Sequence, residues 1–221
     1  VLAGQRAAVA STDAYLAAAA SSAMGSPQSV IGLNADRLIG ARARNGTSLE
    51  HVYARASYVG RNEGFDRGIS YLRQQVTTDF QLAHRLAAHA GMSSDTSIIG
   101  YRRVTGGGKV CALCIAASTR HYSRGDLQPI HRSCGCTVQP VHGSGKSRQV
   151  DRGQLSAIYG GAGGTDARSL GRLQIDTSRL PAGVNADAIT ALNVRVIGDS
   201  ELGPLLDADR HDLTFALGSR S

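Results

Sequence analysis

The sequence predicts a mainly α-helical protein with a small α+β module: a helical N-terminal half, a Cys/His knuckle and an extended C-terminal tail. Three observations predict it. Apolar residues between Leu49 and Leu86 recur at three- and four-residue spacing, the period of helices with one buried face. All four cysteines fall between Cys111 and Cys136, with His131 among them. Beyond Gly143 the chain is rich in glycine, serine and charge and shows no long apolar face. Residues 1–97 are thus read as the helical region, 98–142 as the knuckle module, 143–164 as a glycine-rich linker and 165–221 as an extended segment.

The first helix covers residues 4–24, an alanine-rich stretch in which Val9, Tyr15 and Leu16 form only a thin apolar stripe, so it needs a partner to pack on. Gly25-Ser26-Pro27 ends it, because proline cannot continue the hydrogen-bond ladder. A shorter helical pattern from Ala35 to Ala43 stops at Asn45-Gly46, a turn signal. Thr47-Ser48-Leu49-Glu50 reads as a capping box with Thr47 as the cap. Leu49, Val52, Ala56 and Val59 follow at helical spacing, Gly60 to Gly64 interrupts, and the period resumes from Phe65 through Ile69, Leu72, Val76, Phe80, Leu82 and Leu86. Helical to His89, this stretch would be about 37 Å long at roughly 1.5 Å per residue. Such stripes are packing faces, and no chemistry is assigned to them. Gly91 to Asp95 ends the helical half, and Ile98 to Val104 reads as a strand with Tyr101 and Arg103 on one face and Arg102 and Val104 on the other. Near the end, Ala186 to Leu192 is helical in pattern and Val194 to Ile197 strand-like, followed by an acidic tail with Glu201, Asp207, Asp209 and Asp212. Lacking a core of its own, that tail is expected to rest on another surface or to be partly disordered when alone.

The cysteine block carries the chemistry. Cys111-Ala-Leu-Cys114 turns two sulfurs toward one point, and Cys134-Gly-Cys136 places two more on one face of an extended segment, with His131 three residues earlier. Five donors, Cys111, Cys114, His131, Cys134 and Cys136, compete for the four places of a tetrahedral structural zinc ion, and the module is read as zinc-stabilised. Two other readings stand beside this one. Disulfides within each pair would be strained, although pairing between the clusters is geometrically allowed; unligated thiols are the third. A thioredoxin-like site wants CxxC at the head of a helix after a strand and leaves the second pair without a purpose.

Charge is concentrated on the same block. Residues 101–153 hold nine Lys or Arg against Asp126 and Asp151, whereas residues 1–100 hold nine Arg against seven acids and the remainder is net acidic. Arg102, Arg103, Lys109, Arg120, Arg124, Arg132, Lys146 and Arg148 are therefore candidate contacts to nucleic-acid phosphates, with a solvated basic loop as the plain alternative. Of 24 basic residues 22 are arginine, a bias that fits a GC-rich coding sequence. No apolar run approaches the roughly 18 residues of a membrane span, and Arg6 and Asp13 interrupt the opening stretch as a signal peptide.

Tyr101-Arg-Arg-Val104, Cys111-x-x-Cys114, Tyr122 and Pro129-Ile-His131-x-x-Cys134-Gly-Cys136 together resemble the MuF-like minor head (head morphogenesis) proteins of tailed bacteriophages. The arginine bias and the closing Glu201-Leu-Gly-Pro204-Leu-Leu206 resemble more particularly the minor capsid proteins of phages that infect actinobacteria. The resemblance implies a structural, non-enzymatic protein of the phage head interior, present in the bacterial host cytoplasm during assembly. Its partners would be the portal protein, packaged double-stranded DNA, and capsid or scaffold proteins, and it would act in head morphogenesis and in DNA packaging or ejection.

Two other functions stand beside this one. A capsid maturation protease would need an activated serine; no Gly-x-Ser-x-Gly elbow is present, and Ser118 or Ser133 with His121 or His131 is a poor substitute if histidine ligates metal. A zinc-dependent DNA-binding regulator would explain the basic block, but no recognition helix with projecting Arg, Asn or Gln follows the knuckle.

Overall fold

A computed structural model describes residues 1–105, 109–118, 121–130, 135–142, 174–176 and 194–208. The N-terminal half is helical and is followed by a small sheet. Helix α1 (Leu2–Met24) ends where Gly25 adopts the left-handed conformation, φ 68°. Its buried face is as polar as it is apolar: Gln5, Thr12 and Asp13 lie beside Val9 and Leu16. Asp13 puts this to use. Its carboxylate accepts the backbone N–H groups of Ile31 and Gly32, both at 2.8 Å, and of Leu33 at 2.9 Å, drawing the following segment back against the helix.

The helix expected over residues 35–43 is instead two short 3-10 turns, Ala35–Arg37 and Gly40–Arg42. Ile39 is extended and Gly40 takes φ 68°, which divides the segment. Helix α2 (Leu49–Glu63) is capped by Ser48, whose hydroxyl accepts the His51 N–H at 3.2 Å. The cap thus lies one residue later than the capping box placed it, because the Thr47 N–H is still closing the preceding turn on Arg44 O. Gly64 alone, at φ 104°, separates α2 from α3 (Phe65–Ser94). The two helices fold back on each other at Gly60 and Gly68; a Cβ on Gly68 would stand 2.7 Å from Gly60 Cα.

Helix α3, about 45 Å long at roughly 1.5 Å per residue, is the axis of the fold: α1, α2 and the sheet all pack on it. The sheet begins with β1 (Ile98–Val104), whose alternation of burial places Tyr101 and Arg103 inward. Strand β2 (Lys109–Cys111) runs straight into α4 (Ala112–Ala117), and β3 (His121–Ser123) and β4 (Thr137–His142) flank β1 antiparallel in the order β3-β1-β4. Leu16, Ala88, Met92, Ile98, Tyr101 and Val138 form the core between α1, α3 and the sheet. Strand β5 (Gln174–Asp176) pairs with β2.

Strands β6 (Val194–Asp199) and β7 (Gly203–Ala208) form a hairpin whose turn rests on the helices. Leu202 at this turn is buried in a cluster with Ala43, Leu82 and Ile130. Arg44, 0 % exposed, pins the same turn: its guanidinium bonds Asp79 Oδ1 at 2.5 Å and Gln75 Oε1 at 3.2 Å, and pairs with Glu201. Tyr53 Oη donates to the other Asp79 oxygen at 2.5 Å, and burial, followed by this carboxylate, pushes the tyrosine pKa far above its usual value.

Candidate metal centre

Cys111 closes β2 and Cys114 lies in the first turn of α4, so the CxxC pair spans a strand-to-helix junction. Cys114 is buried. At the other cluster, Cys136 continues the inward row of β4: Cys136, Val138 and Pro140 are buried, while Thr137, Gln139 and Val141 are partly exposed. The β1–β4 register sets Arg103 opposite Val138, on that same inward row. Arg103, 2 % exposed, donates from Nη1 to Cys114 Sγ at 4.0 Å and from Nη2 to the Pro129 carbonyl. One buried guanidinium thereby bonds both Cys114 of α4 and the segment that precedes His131.

A second buried arginine, Arg85 of α3, stands behind it. Arg85 is 2 % exposed and donates to the carbonyls of Gln128 at 3.4 Å, Pro204 at 3.2 Å, and Leu202. Among the described residues no carboxylate forms an ion pair with it. Burial pushes its pKa down to about 10, with the neighbouring Arg103 charge acting in the same direction and Tyr101 opposing. A buried guanidinium against the Cys114 sulfur suits a thiolate, which brings negative charge, better than it suits a neutral thiol. By that test the described part of the donor set, Cys114 and Cys136, fits a soft divalent cation such as zinc. The side chains of Cys111, His131 and Cys134 lie outside the described residues, and among the described residues no group of three metal-ligating side chains occurs. A bound zinc ion would tie α4 to the edge of β4.

The module is completed by side chains that the sequence does not mark as functional. Tyr101 and Tyr122, opposite one another in the β1–β3 register, stack with centroids 5.2 Å apart and planes 13° from parallel. Their hydroxyls donate to the carbonyls of Asp126 and Ala117, each at 3.0 Å, the latter holding the end of α4. His84 hydrogen-bonds through its two ring nitrogens to the hydroxyls of Thr12 and Thr137, joining α1, α3 and β4. Burial lowers its pKa.

Of the eight basic residues singled out as phosphate contacts, Arg103 is corrected: its guanidinium is turned into the core, where burial and its hydrogen bonds remove it from the surface. Arg102 is partly exposed and donates to Gln139 Oε1 at 2.7 Å. Arg124 donates to Asp95 O at 2.9 Å and Ile98 O at 3.4 Å, bracing the junction between α3 and β1. The side chains of Lys109, Arg120, Arg132, Lys146 and Arg148 lie outside the described residues. The serine weighed as a nucleophile, Ser118, donates its hydroxyl to Ile115 O at 2.7 Å at the end of α4, and His121 is exposed on β3. Ser133 and His131 lie outside the described residues, as do the linker 143–164 and the pattern 186–192. No described helix is long and apolar enough to cross a membrane.

Arg85 was legible in principle. It falls three residues after Leu82 and seven before Met92, on the inward row of α3, and a cation at an apolar position of a helical stripe marks a buried polar contact. No protein-family model, curated protein or solved structure matches this chain.

Proposed function

We propose that the chain is a structural minor head protein of a tailed bacteriophage, of the MuF-like kind, held inside the head next to the portal and stabilised by a zinc knuckle. The observation that carries this reading is the spacing in sequence of Cys111/Cys114, His131 and Cys134/Cys136, with Cys114 and Cys136 buried in a small module that follows a helical half. Zinc would be held by four of Cys111, Cys114, His131, Cys134 and Cys136, and would supply a rigid cross-link rather than a reaction centre.

The helical half supplies a docking face for the portal or for capsid or scaffold proteins. At the α2–α3 turn Phe65, 76 % exposed, lines a cleft of about 380 Å³ together with Tyr53, Ala56, Gly60, Ile69 and Leu72, and Tyr58 of α2 is 61 % exposed. DNA contact would come from the basic residues remaining on the knuckle's surface, without base-specific readout.

Elemental analysis of the purified full chain tests the metal reading: one zinc per chain is expected, and Cys114→Ser should lose both the zinc and soluble folding. Wild-type protein without zinc, its cysteines joined as disulfides, would refute it. Binding to portal protein, and cosedimentation with assembled heads, test the placement in the virion.

A further inference from the structure

Resting on the zinc reading above, we propose that Arg103, backed by Arg85, is the positioning residue of the metal centre: it sets the segment that delivers His131 against the helix that carries Cys114. Three successive residues immediately before His131 are each held by the backbone. Gln128 O accepts from Arg85, Pro129 O accepts from Arg103, and Ile130 N donates to Pro204 O at 3.2 Å. The Gln128 side chain ties the same segment to the second cluster, its Nε2 donating to Thr137 O at 3.3 Å, one residue after Cys136. Arg103 bonds both sides of the site, with one nitrogen on Cys114 Sγ and the other on Pro129 O, two residues before His131.

A guanidinium suits this place for two reasons. Its planar fork reaches two acceptors at fixed separation, which a lysine ammonium on a flexible stem does not. Its permanent charge lies against the Cys114 sulfur, so the site favours an anionic cluster, three or four thiolates around one divalent cation, over oxygen-rich coordination of calcium or magnesium. Groups that orient metal ligands from behind in this way are commonly worth about 10–100-fold in metal affinity.

The test measures the rate at which the zinc-loaded full chain gives up its metal to an excess of chromogenic pyridylazo chelator. Arg103→Met should release zinc at least about 10-fold faster than wild type. Arg103→Lys, which keeps the charge and loses the fork, should side with Arg103→Met and serves as the folded variant if methionine is not tolerated. Gly68→Ala, which weakens the distant α2–α3 crossing, should release zinc at the wild-type rate and so separates positioning from general loss of stability. Cobalt substituted for zinc should show sulfur-to-metal charge transfer in wild type, with tetrahedral bands broadened in the Arg103 variants. Zinc held by wild type but released at an unchanged rate from both Arg103 variants overturns this inference alone. Absence of zinc from wild type overturns the metal reading and the inference with it.

Discussion

Arg44 shows how a single side chain can hold distant parts of this chain together. Its guanidinium joins Asp79 of α3 to Glu201 at the β6–β7 turn while 0 % exposed. A buried ion pair adds little net stability, because desolvating two charges offsets their attraction, yet breaking one by removing a single partner is costly. Arg44→Met should therefore destabilise the fold by about 3–5 kcal/mol in chemical denaturation. The double variant Arg44→Met/Asp79→Leu should recover part of that loss, since no buried carboxylate then stands without its cation. Equal destabilisation of the two variants would contradict this account. With 22 arginines in the chain, nothing local marks Arg44 as one of the three that are buried among the described residues, the others being Arg85 and Arg103. Arg103 was legible as inward from strand alternation with Tyr101, but its type suggested a phosphate contact, and type prevailed over position.

At the level of elements, periodicity read the long helices well because their apolar rows are regular, and it read β1 for the same reason. It failed where hydrogen-bond detail decides. The pattern over 35–43 has helical spacing, yet a left-handed Gly40 divides it, and the α2 cap falls on Ser48 rather than Thr47 because a backbone turn already uses the Thr47 N–H. The interruption between α2 and α3 narrows to Gly64, while Gly60 stays helical and serves a different end, the close approach of Gly68. Gly68→Ala forces a methyl against backbone that has no rotamer with which to yield. We expect a loss of about 1–3 kcal/mol in urea unfolding, with the helical circular dichroism of the folded state preserved. A neutral effect would mean that the two helices can separate freely. In the cysteine block, residue spacing suggests a metal site but not the contacts beneath it: the helical row shows that Arg85 faces inward, yet no local pattern names the backbone groups that Arg85 and Gln128 bond.

Across the whole molecule, His84 links the first helix, the axial helix and the sheet, and its burial depresses its pKa. His89 on the same helix is shifted in the same direction, again mainly by burial. Both are neutral in the folded protein at neutral pH. Below about pH 6.5 the unfolded chain binds protons at these positions before the folded chain does, so stability falls as pH drops through the unfolded value toward the lower folded one. The melting temperature should accordingly decline from pH 7 to pH 5, and His84→Gln should flatten that decline. A variant with an unaltered slope would remove His84 as a source of acid sensitivity.

The β6–β7 hairpin also dictates an order of events during synthesis. Arg44 and Arg85 belong to the first half of the chain, but Glu201 and the carbonyls of Leu202 and Pro204 leave the ribosome more than a hundred residues later. Until then, of its described partners, Arg85 has Gln128 O to bond, and Leu82 lacks the Leu202 cover it has in the finished core. The nascent helical half must wait, hydrated and incompletely closed, for its last strands to arrive, which leaves an interval of exposed apolar surface before the hairpin seals it.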